Sequence, residues 1–540
     1  MNKQYVSVKM NNSNINNPTI LDLPDEILLI IFNKLNTIDA LYSLVDVNER
    51  FDRLVLKSLH IRNLDTTSMV IKSYYDRTFS IDNNVLPKIC EKILPRIHHQ
   101  LNKLTIEQNS MERILLTVNY PQLYLLSLVN VQEEILFQYL TGNSVLHDLL
   151  TQQITHLNID VPYEPKSETS ETLSNIFSLI LSVCQRMTNL NFCQLFSDRK
   201  ASICIYNLPS TSCISSILTE LKVNVATFDD CLFLLAGHLK CLSTLIIDVK
   251  NISWSLSNIN NTKKLPELKC FSLTSIEYAS DYDDQIIPLL RRMINLKELT
   301  LFLTVLKPYS TYIDGIQLHD QILIYMPQLN KFTFNIITAI VNRNMKIDLQ
   351  SNEYIQHSFI GKGYGEVGSC VHTRSEHNAG TSHVYSLPYK FEYFLHLNNS
   401  FQGDIFDTVQ YLTMIDGRPF EHNLFKLISQ CFPLLKELCV VNYQPQTQKN
   451  KQHSSILIIF PRLILLNLFE AHVDYAEQLL CDKNIHLPAL LDLCINYKSL
   501  AMITNNFTNN PIRLNCAKIK KLHIDPFLRP KNFHKYFPLL

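Results

Sequence analysis

Residues 296–303, LKELTLFL, contain a pattern that recurs along the chain. Three apolar residues, Leu296, Leu299 and Leu301, are separated by two variable residues and then by one. The same spacing is found in LLKELCVV (434–441), RLILLNLF (462–469) and ALLDLCIN (489–496). Because alternate side chains of a strand share a face, the apolar residues of each stretch should point into a core and the residues between them should face the other way.

The pattern returns at intervals of 22 to 33 residues, except across one interruption. Its successive units open at Leu101, Leu123, Ile154, Met187, Leu218, Leu242, Leu268, Leu296, Leu329, Leu435, Leu463, Leu490 and Ile519. Recurring L-x-x-L-x-L units of this length resemble leucine-rich repeats, in which a strand is followed by a helical segment. Residues 284–293, 421–430 and 473–481 have apolar residues at helical spacing and are predicted helices.

One such unit cannot bury its apolar face alone, so neighbouring units must stack. The resemblance therefore implies an α/β fold, a curved solenoid with parallel strands on the concave face and helices on the convex face. Residues 53–61, RLVLKSLHI, place Leu56, Leu59 and Ile61 at the template positions. This indicates that the array begins close to the N-terminal segment.

Composition excludes several classes of protein. The chain has 540 residues, more than one compact core usually holds, and 46% of them are hydrophobic and 18% charged. Lys and Arg number 49, as do Asp and Glu, and no long block has one sign, which argues against nucleic acid or an anionic membrane as the main partner. We expect no membrane-spanning segment, no signal peptide, reduced thiols and a cytoplasmic or nuclear protein.

The repeat spacing fails between Phe334 and Val409, and residues 341–390 are predicted to be a flexible insertion. Residues 357–383 hold five of the ten glycines, and Gly363-Tyr-Gly365-Glu-Val-Gly368 matches G-x-G-x-x-G. The strand, lysine and helix context that a phosphate-binding or dinucleotide-binding loop needs does not accompany the match. Cys370, His372, His377 and His383 fit no compact zinc spacing. We therefore expect no metal and no cofactor.

No nucleophile and base form a recognisable local motif anywhere in the sequence, so no catalytic residue is predicted. We expect a protein that is not an enzyme by itself.

The N-terminal segment, LDLPDEILLIIFNKL (21–35), has six consecutive apolar residues from Ile27 to Phe32. Asp22 can cap a helix, Pro24 suits its first turn, and Asp25 and Glu26 complement its positive end. Thr37 with Asp39 indicates a second helix and Asn48 a third. Three short helices leave apolar residues on more than one side of the first, so something besides this small segment must cover that helix.

The segment resembles the F-box. The residues that carry the resemblance are Leu23, Pro24, Asp25, Glu26, Ile27, Ile31, Phe32, Leu35, Asp39, Leu41, Val45, Val47, Arg50 and Phe51. The family often has Cys and Trp where Asn48 and Phe51 stand. F-boxes dock the adaptor subunit of cullin–RING ubiquitin ligases, and in family members with leucine-rich repeats the repeats select the substrate.

The resemblance implies a substrate-recognition subunit of an SCF-type ubiquitin ligase, with an adaptor and an unknown substrate protein as its partners. The residues expected to carry adaptor binding are Leu23, Pro24, Glu26, Ile27, Leu28, Ile31, Phe32 and Leu35. The implied organisation is a disordered Asn-rich tail (1–19), an F-box (20–65), repeats (66–340), the insertion (341–390) and further repeats (391–540).

The substrate is expected on the concave face of the later repeats, because they lie far from the F-box in sequence. The candidate residues alternate with the inward apolar positions and are Glu298, Thr300, Lys331, Thr333, Glu437, Asn467, Phe469, Asp492, Asn496, Lys521 and His523. Their mixed charge and one aromatic ring suit a protein or peptide better than a polyanion.

Two other hypotheses fit the sequence. One is a leucine-rich scaffold unrelated to ubiquitin, whose N-terminal helices only cap the repeats. The other is an enzyme built on the central insertion.

Overall fold

The structure is a computed structural model of the chain. It describes residues 20–35, 37–58, 61–67, 69–71, 77–79, 84–142, 144–162, 171–196, 201–209, 212–253, 263–308, 311–341, 350–374, 379–447, 457–525, 530 and 532–540. The predicted disordered tail, residues 1–19, lies outside them. Within these ranges, no helix combines the length and the apolar character that crossing a membrane requires.

Helices and strands alternate along most of the chain. The helices are Asp25–Phe32 (α1), Thr37–Leu44 (α2), Glu49–Asp52 (α3), Val85–Lys88 (α4), Leu94–Ile97 (α5), Gln108–Thr117 (α6), Glu133–Thr141 (α7), Val145–Gln152 (α8), Glu171–Val183 (α9), Phe228–Leu234 (α10), Ile287–Leu290 (α11), Gly315–Gln321 (α12), Asn352–Ser358 (α13), His422–Cys431 (α14), Val473–Leu480 (α15), Tyr497–Ile503 (α16) and Arg513–Cys516 (α17). Wider or tighter helical turns lie at Ile20–Asp22, Arg53–Ser58, Ile89–Ile93, His98–Gln100, Tyr282–Ile286, Leu323–Tyr325 and Phe533–Lys535.

The strands are Asn63–Asp65 (β1), Met69–Ile71 (β2), Arg77–Phe79 (β3), Lys103–Glu107 (β4), Leu125–Val129 (β5), His156–Ile159 (β6), Asn189–Phe192 (β7), Glu220–Thr227 (β8), Thr244–Asn251 (β9), Cys270–Ala279 (β10), Glu298–Leu306 (β11), Lys331–Val341 (β12), Val367–Arg374 (β13), Ala379–Ser386 (β14), Tyr393–Leu397 (β15), Tyr411–Ile415 (β16), Glu437–Val441 (β17), Ile458–Ile459 (β18), Leu465–Leu468 (β19), Ile485–His486 (β20), Asp492–Asn496 (β21) and Lys521–Asp525 (β22).

The chain divides into two compact units. The first comprises Met1–Thr67 and Ile81–Leu126, and the second comprises Ser68–Ser80 and Ser127–Leu540. The first unit contains the three predicted N-terminal helices and the short parallel pair β1–β4. The second contains the rest of the repeat array.

The three N-terminal helices, α1 to α3, form where the sequence predicts them. Thr37 opens α2, and the Asn48 side chain caps α3 by accepting a hydrogen bond from the Phe51 main-chain nitrogen at 2.8 Å. Pro24 occupies the N-cap of α1 and makes no capping bond with its side chain, so the predicted cap at Asp22 is displaced by two residues. Together these helices bury a small core that includes Leu28, Phe32, Leu41 and Phe51.

The repeat prediction is confirmed by the strands that follow it. Each of the thirteen predicted openings lies two residues before a strand: Leu101 precedes β4, Leu296 precedes β11 and Ile519 precedes β22. In β11 the inward residues Leu299, Leu301 and Leu303 are fully buried. The template position assigned to residues 53–61 is wrong, because Arg53–Ser58 is a helical turn and the strand is β1. Ile61 lies two residues before β1, and both Ile61 and Leu64 are buried.

Parallel pairing joins consecutive repeats in the second unit. From β6 to β12, consecutive strands pair in parallel, as in Glu298↔Lys331 and Thr300↔Thr333 between β11 and β12. A second parallel sheet has the order β15-β16-β17-β19-β21-β22. The fold is therefore mixed α/β, with large sheets of parallel strands and many helices, as the sequence predicts.

Polar side chains at several strand ends start the helices that follow. Glu107 accepts hydrogen bonds from the main-chain nitrogens of Asn109 and Ser110, and so caps α6 although it is buried. Thr227 and Asp230 cap α10 reciprocally. These caps satisfy main-chain donors that have no partner within the helix, and they let a strand turn directly into a helix.

The residues described within the predicted flexible insertion, 341–390, form regular secondary structure that the sequence did not predict. The structure contains α13 and a hairpin of β13 and β14, and β14 extends the first sheet by pairing antiparallel with β12. Gly368 lies in β13, where an added Cβ would come within 2.2 Å of the Tyr385 ring. This glycine permits close packing inside a strand, whereas the sequence pattern attributed the local glycines to a loop.

Candidate functional site

Helix α1 has one buried and one exposed apolar side. Leu28 and Phe32 are fully buried in the first unit, with exposures of 0% and 2%, and Phe32 packs edge-on against Phe51 with ring centroids 5.4 Å apart. Ile27 and Ile30 are 42% and 57% exposed. One side of α1 therefore packs in the core and the other side is exposed. Six consecutive apolar residues place apolar side chains on both sides of a helix.

The predicted adaptor residues are divided between these two sides. Ile27, Ile31 and Leu35 are exposed and apolar, while Pro24 and Glu26 are exposed at the start of the helix and Leu23 is half-buried. Leu28 and Phe32 belong to the core and present no surface to a partner. Ile30, which the prediction did not include, is the most exposed of the isoleucines in α1.

Arg50 fixes the chain entering α1, and sequence reasoning gave it no role. Its guanidinium donates hydrogen bonds to the main-chain carbonyls of Leu21 and Leu23, both at 2.6 Å, and to the Asp25 carboxylate at 2.7 Å. Arg53 donates a further bond to Asp25 at 3.1 Å. The hydrogen bond from Arg50 holds the pKa of the Asp25 carboxyl below its ordinary value. The orientation of the Leu23-Pro24 turn thus depends on α3.

Basic side chains of the following helical segment hold the turn between α2 and α3. Lys88 Nζ donates to the main-chain carbonyls of Tyr42 and Val45 at 2.6 and 2.8 Å. Lys92 pairs with Asp46 at 3.0 Å, and Arg96 pairs with Asp52 at 2.8 Å. These contacts join the three helices to residues 85–97 within the first unit.

Most of the predicted substrate residues lie in strands, on the face opposite the buried leucines, here called the outer strand face. Glu298 and Lys331 are register partners, and Lys331 Nζ donates to Glu298 Oε2 at 2.7 Å. Lys331, Phe469 and His523 are exposed, whereas Thr300, Glu437 and Lys521 are half-buried. The side chains of these six residues are at least partly exposed.

Four of the predicted substrate residues have other positions or contacts. Asp492 is fully buried and Thr333 is 9% exposed, so neither presents a free surface. Asn496 caps α16 by accepting from the Lys498 nitrogen, and Asn467 accepts from the Phe469 nitrogen. Asparagine at a strand end serves the local main chain, which alternation alone does not reveal.

The His and Cys residues of the central segment have structural neighbours. Cys370 and His383 are register partners in the hairpin; the thiol donates to Asn398 Oδ1 at 3.0 Å, and His383 Nε2 lies 2.6 Å from Asn335 Oδ1. His377 lies outside the described residues. Over the described ranges, no group of three or more His, Cys, Asp or Glu side chains is arranged to hold a metal ion.

The glycine-rich match in this segment leads into strand β13 and not into a helix. The Tyr364 ring between its first two glycines is buried, and its hydroxyl donates to the Gly315 carbonyl at 2.7 Å. Phosphate-binding loops of the G-x-G-x-x-G type end at the N-terminus of a helix in dinucleotide-binding folds. Here the hydrogen bond from Tyr364 to Gly315 instead connects the segment before β13 to the start of α12.

Comparison with known structures finds a distant structural likeness. No protein-family model matches the chain. No curated protein matches its sequence either. A chain in the crystal structure of the yeast Rad7 and Elc1 complex is similar at 14% sequence identity, covering 82% of this chain and 92% of that chain, with a TM-score of 0.32. A likeness of this degree decides neither the family nor the function of the chain, which must be argued from its own residues.

Proposed function

We propose that this protein is a non-catalytic substrate receptor of a cullin–RING ubiquitin ligase. Helices α1 to α3 dock the adaptor subunit in this proposal, and the outer strand face of the repeats binds the substrate protein. The F-box resemblance of residues 21–51 provides the prior expectation.

The observation that carries the proposal is the exposed apolar side of α1. Ile27, Ile30 and Ile31 lie within about one third of the helix circumference, given 100° per residue. Contiguous exposed apolar side chains are typical of protein interaction sites. Since Leu28 and Phe32 on the other side already form the core, the exposed isoleucines are free to enter a groove on a partner, which is a common mode of helix recognition.

A cleft beside the end of α1 would extend this docking surface. It has a volume of about 210 Å³ and is lined by residues that include Phe32, Leu35, Thr37 and Ile61. Leu35 is 44% exposed at its edge. A partner that covers α1 would therefore contact both the exposed isoleucines and the adjacent cleft. A protruding surface beside a concave one allows shape complementarity.

Co-purification with the recombinant adaptor subunit tests the proposal. The full-length protein carrying Ile30→Gln should lose most of its adaptor binding, because the variant places an amide in an apolar contact. Ile27→Asp should do the same, and an acidic residue in the first helical turn is compatible with the helix dipole.

The matched control is Leu116→Gln in α6 of the same unit, where the leucine is 63% exposed. All three variants change exposed side chains and should unfold at nearly the wild-type temperature. If Ile30→Gln and Ile27→Asp bind the adaptor as well as Leu116→Gln does, the docking assignment is wrong.

The second candidate function is a protein scaffold in which the N-terminal helices only cap the repeats. The hydrogen bonds and ion pairs that Lys88, Lys92 and Arg96 make with the α2–α3 turn and with α3 favour it. A capping segment has to be fixed to the first repeat. A capping segment has no need of an exposed isoleucine ridge. Wild-type protein that fails to bind the adaptor would favour the scaffold.

A further inference from the structure

A cleft lies on the outer strand face where the segment between the two sheets of the second unit passes over the first sheet. Its volume is about 370 Å³. Its floor includes Ile246, Asp248 and Thr274 of β9 and β10, and its wall is formed by residues 390–393. This volume is near the lower end of the range for ligand pockets and suits a long side chain more than a large cofactor.

The walls of the cleft are aromatic. Phe302 packs edge-on against Phe391 at 5.2 Å and lies 6.3 Å from Tyr393, measured between ring centroids. Tyr393 in turn stacks on Tyr411 at 4.3 Å. Phe302 is buried, while Phe391 and Tyr393 are half-buried, so ring surface of the latter two is accessible. Aromatic faces attract cations through their quadrupole.

The polar groups of the cleft are mainly acceptors. Asn224 uses its amide nitrogen on the carbonyls of Cys193 and Ala201, and Gln194 uses its own on the carbonyl of Val223. Glu392 Oε1 accepts from Gln410 at 3.2 Å, and its Oε2 is buried with no hydrogen-bond partner within the part of the chain that is described. A guest that carries donors would satisfy this carboxylate.

The cleft is also acidic. Asp248 and Glu392 line it, and Lys390, the one basic side chain among the lining residues that the structure describes, is solvent-exposed. Burial raises the pKa of the Tyr393 phenol, and Tyr411 and then the carboxylates of Asp248, Glu392 and Glu437 raise it further. Three carboxylates therefore act on one phenol beside the cleft, which disfavours anionic guests and favours cationic ones.

We propose that this cleft binds the side chain of an arginine or lysine in an extended segment of a partner protein. The aromatic walls would flank the alkyl stem and the cationic group, and Asp248 and Glu392 would accept its hydrogen bonds. If the partner is the ubiquitination substrate, which rests on the proposed function, the substrate class is a protein with an exposed basic segment.

The test measures fluorescence anisotropy of labelled peptide pools against the full-length protein. Each pool has random neutral flanking residues and a fixed central residue, which is arginine, lysine, citrulline or glutamate. The arginine and lysine pools should bind at least about tenfold more tightly than the citrulline pool, which has nearly the shape of arginine but no charge. Their affinity should also fall with added salt.

Variants of the cleft should remove this preference. Asp248→Asn combined with Glu392→Gln should weaken the arginine pool by about tenfold or more, and Phe391→Leu by about two- to fivefold through loss of an aromatic face. The control is Glu134→Gln in α7, which removes an exposed carboxylate that is not among the residues lining the cleft and should leave binding unchanged. Thermal unfolding of each variant identifies loss of fold.

Equal binding of the citrulline and arginine pools, or no binding by any pool, would overturn the proposal. Spermidine binding without peptide binding would overturn the assignment to a protein segment. Adaptor binding is measured on the same preparations. An intact adaptor complex without basic-pool binding refutes only the cleft, and basic-pool binding without an adaptor complex refutes only the proposed function.

Discussion

Replacing Phe32 by Ala should unfold the three N-terminal helices locally. The ring is 2% exposed and contacts Phe51 edge-on at 5.4 Å. Removing a buried phenylalanine ring costs about 3–5 kcal/mol, of which the aromatic pair contributes about 0.5–1.5 kcal/mol. A segment of some forty residues holds roughly 2–6 kcal/mol at ordinary stability per residue. The expected loss is therefore comparable with the whole stability of the segment.

Hydrogen exchange followed by mass spectrometry measures this loss directly. Amides of α1 to α3 should exchange much faster in Phe32→Ala, while those of β8 to β11 keep their wild-type rates. The neighbouring control Ile31→Ala changes a 37% exposed side chain and should cost less than about 1.5 kcal/mol. If Phe32→Ala changes the opening free energy of α1 by less than about 1 kcal/mol, Phe32 is not the core residue described here.

Three further predictions follow from individual contacts. Arg50→Gln should speed exchange at residues 21–27 and weaken adaptor binding several-fold, whereas Arg53→Gln, which loses one exposed contact, should change both little. Gly368→Ala should lower the free energy of unfolding in urea by about 1–3 kcal/mol, because its methyl group would overlap the Tyr385 ring. Burial lowers the pKa of His383 from 6.5 to about 3, so the folded protein keeps this ring neutral while the unfolded chain takes up a proton below 6.5. The resulting stability is present above pH 6.5 and is lost as pH falls toward 3, and urea unfolding at a series of pH values should show a weaker dependence in His383→Gln.

The repeat architecture was predictable because it depends on a local signal. In each predicted repeat, an apolar residue lies two positions before the strand and is followed by alternating inward residues, as at Leu296, Leu299 and Leu301. This spacing can be recognised in a single sequence. The same was true of the start of α2 at Thr37 and of the cap at Asn48.

The hairpin of the central segment was not predictable because it depends on contacts distant in sequence. The hairpin is held by pairing with β12, and Gly368 is explained only by the Tyr385 ring that lies across from it. Strand β15 follows this hairpin and was not predicted, because it lies between Phe334 and Val409, where the repeat spacing fails. Local glycine content cannot distinguish a mobile loop from a close approach between strands.

The candidate sites were only partly predictable. Alternation identifies which strand residues face outward, but it does not show that Asp492 is buried or that Asn496 caps a helix. The cleft near Asp248 and Glu392 joins residues from β9 and from the segment between the two sheets. The role of Arg50 likewise depends on contacts across more than twenty residues.

The exposed isoleucine ridge of α1 can be tested most directly by a hydrogen-exchange footprint of the full-length protein with and without the recombinant adaptor subunit. The account predicts a complex in which peptides covering residues 20–35 are protected and those covering α6, including Leu116, exchange as in the free protein. Absence of a complex, or a complex that leaves residues 20–35 unprotected, would contradict it.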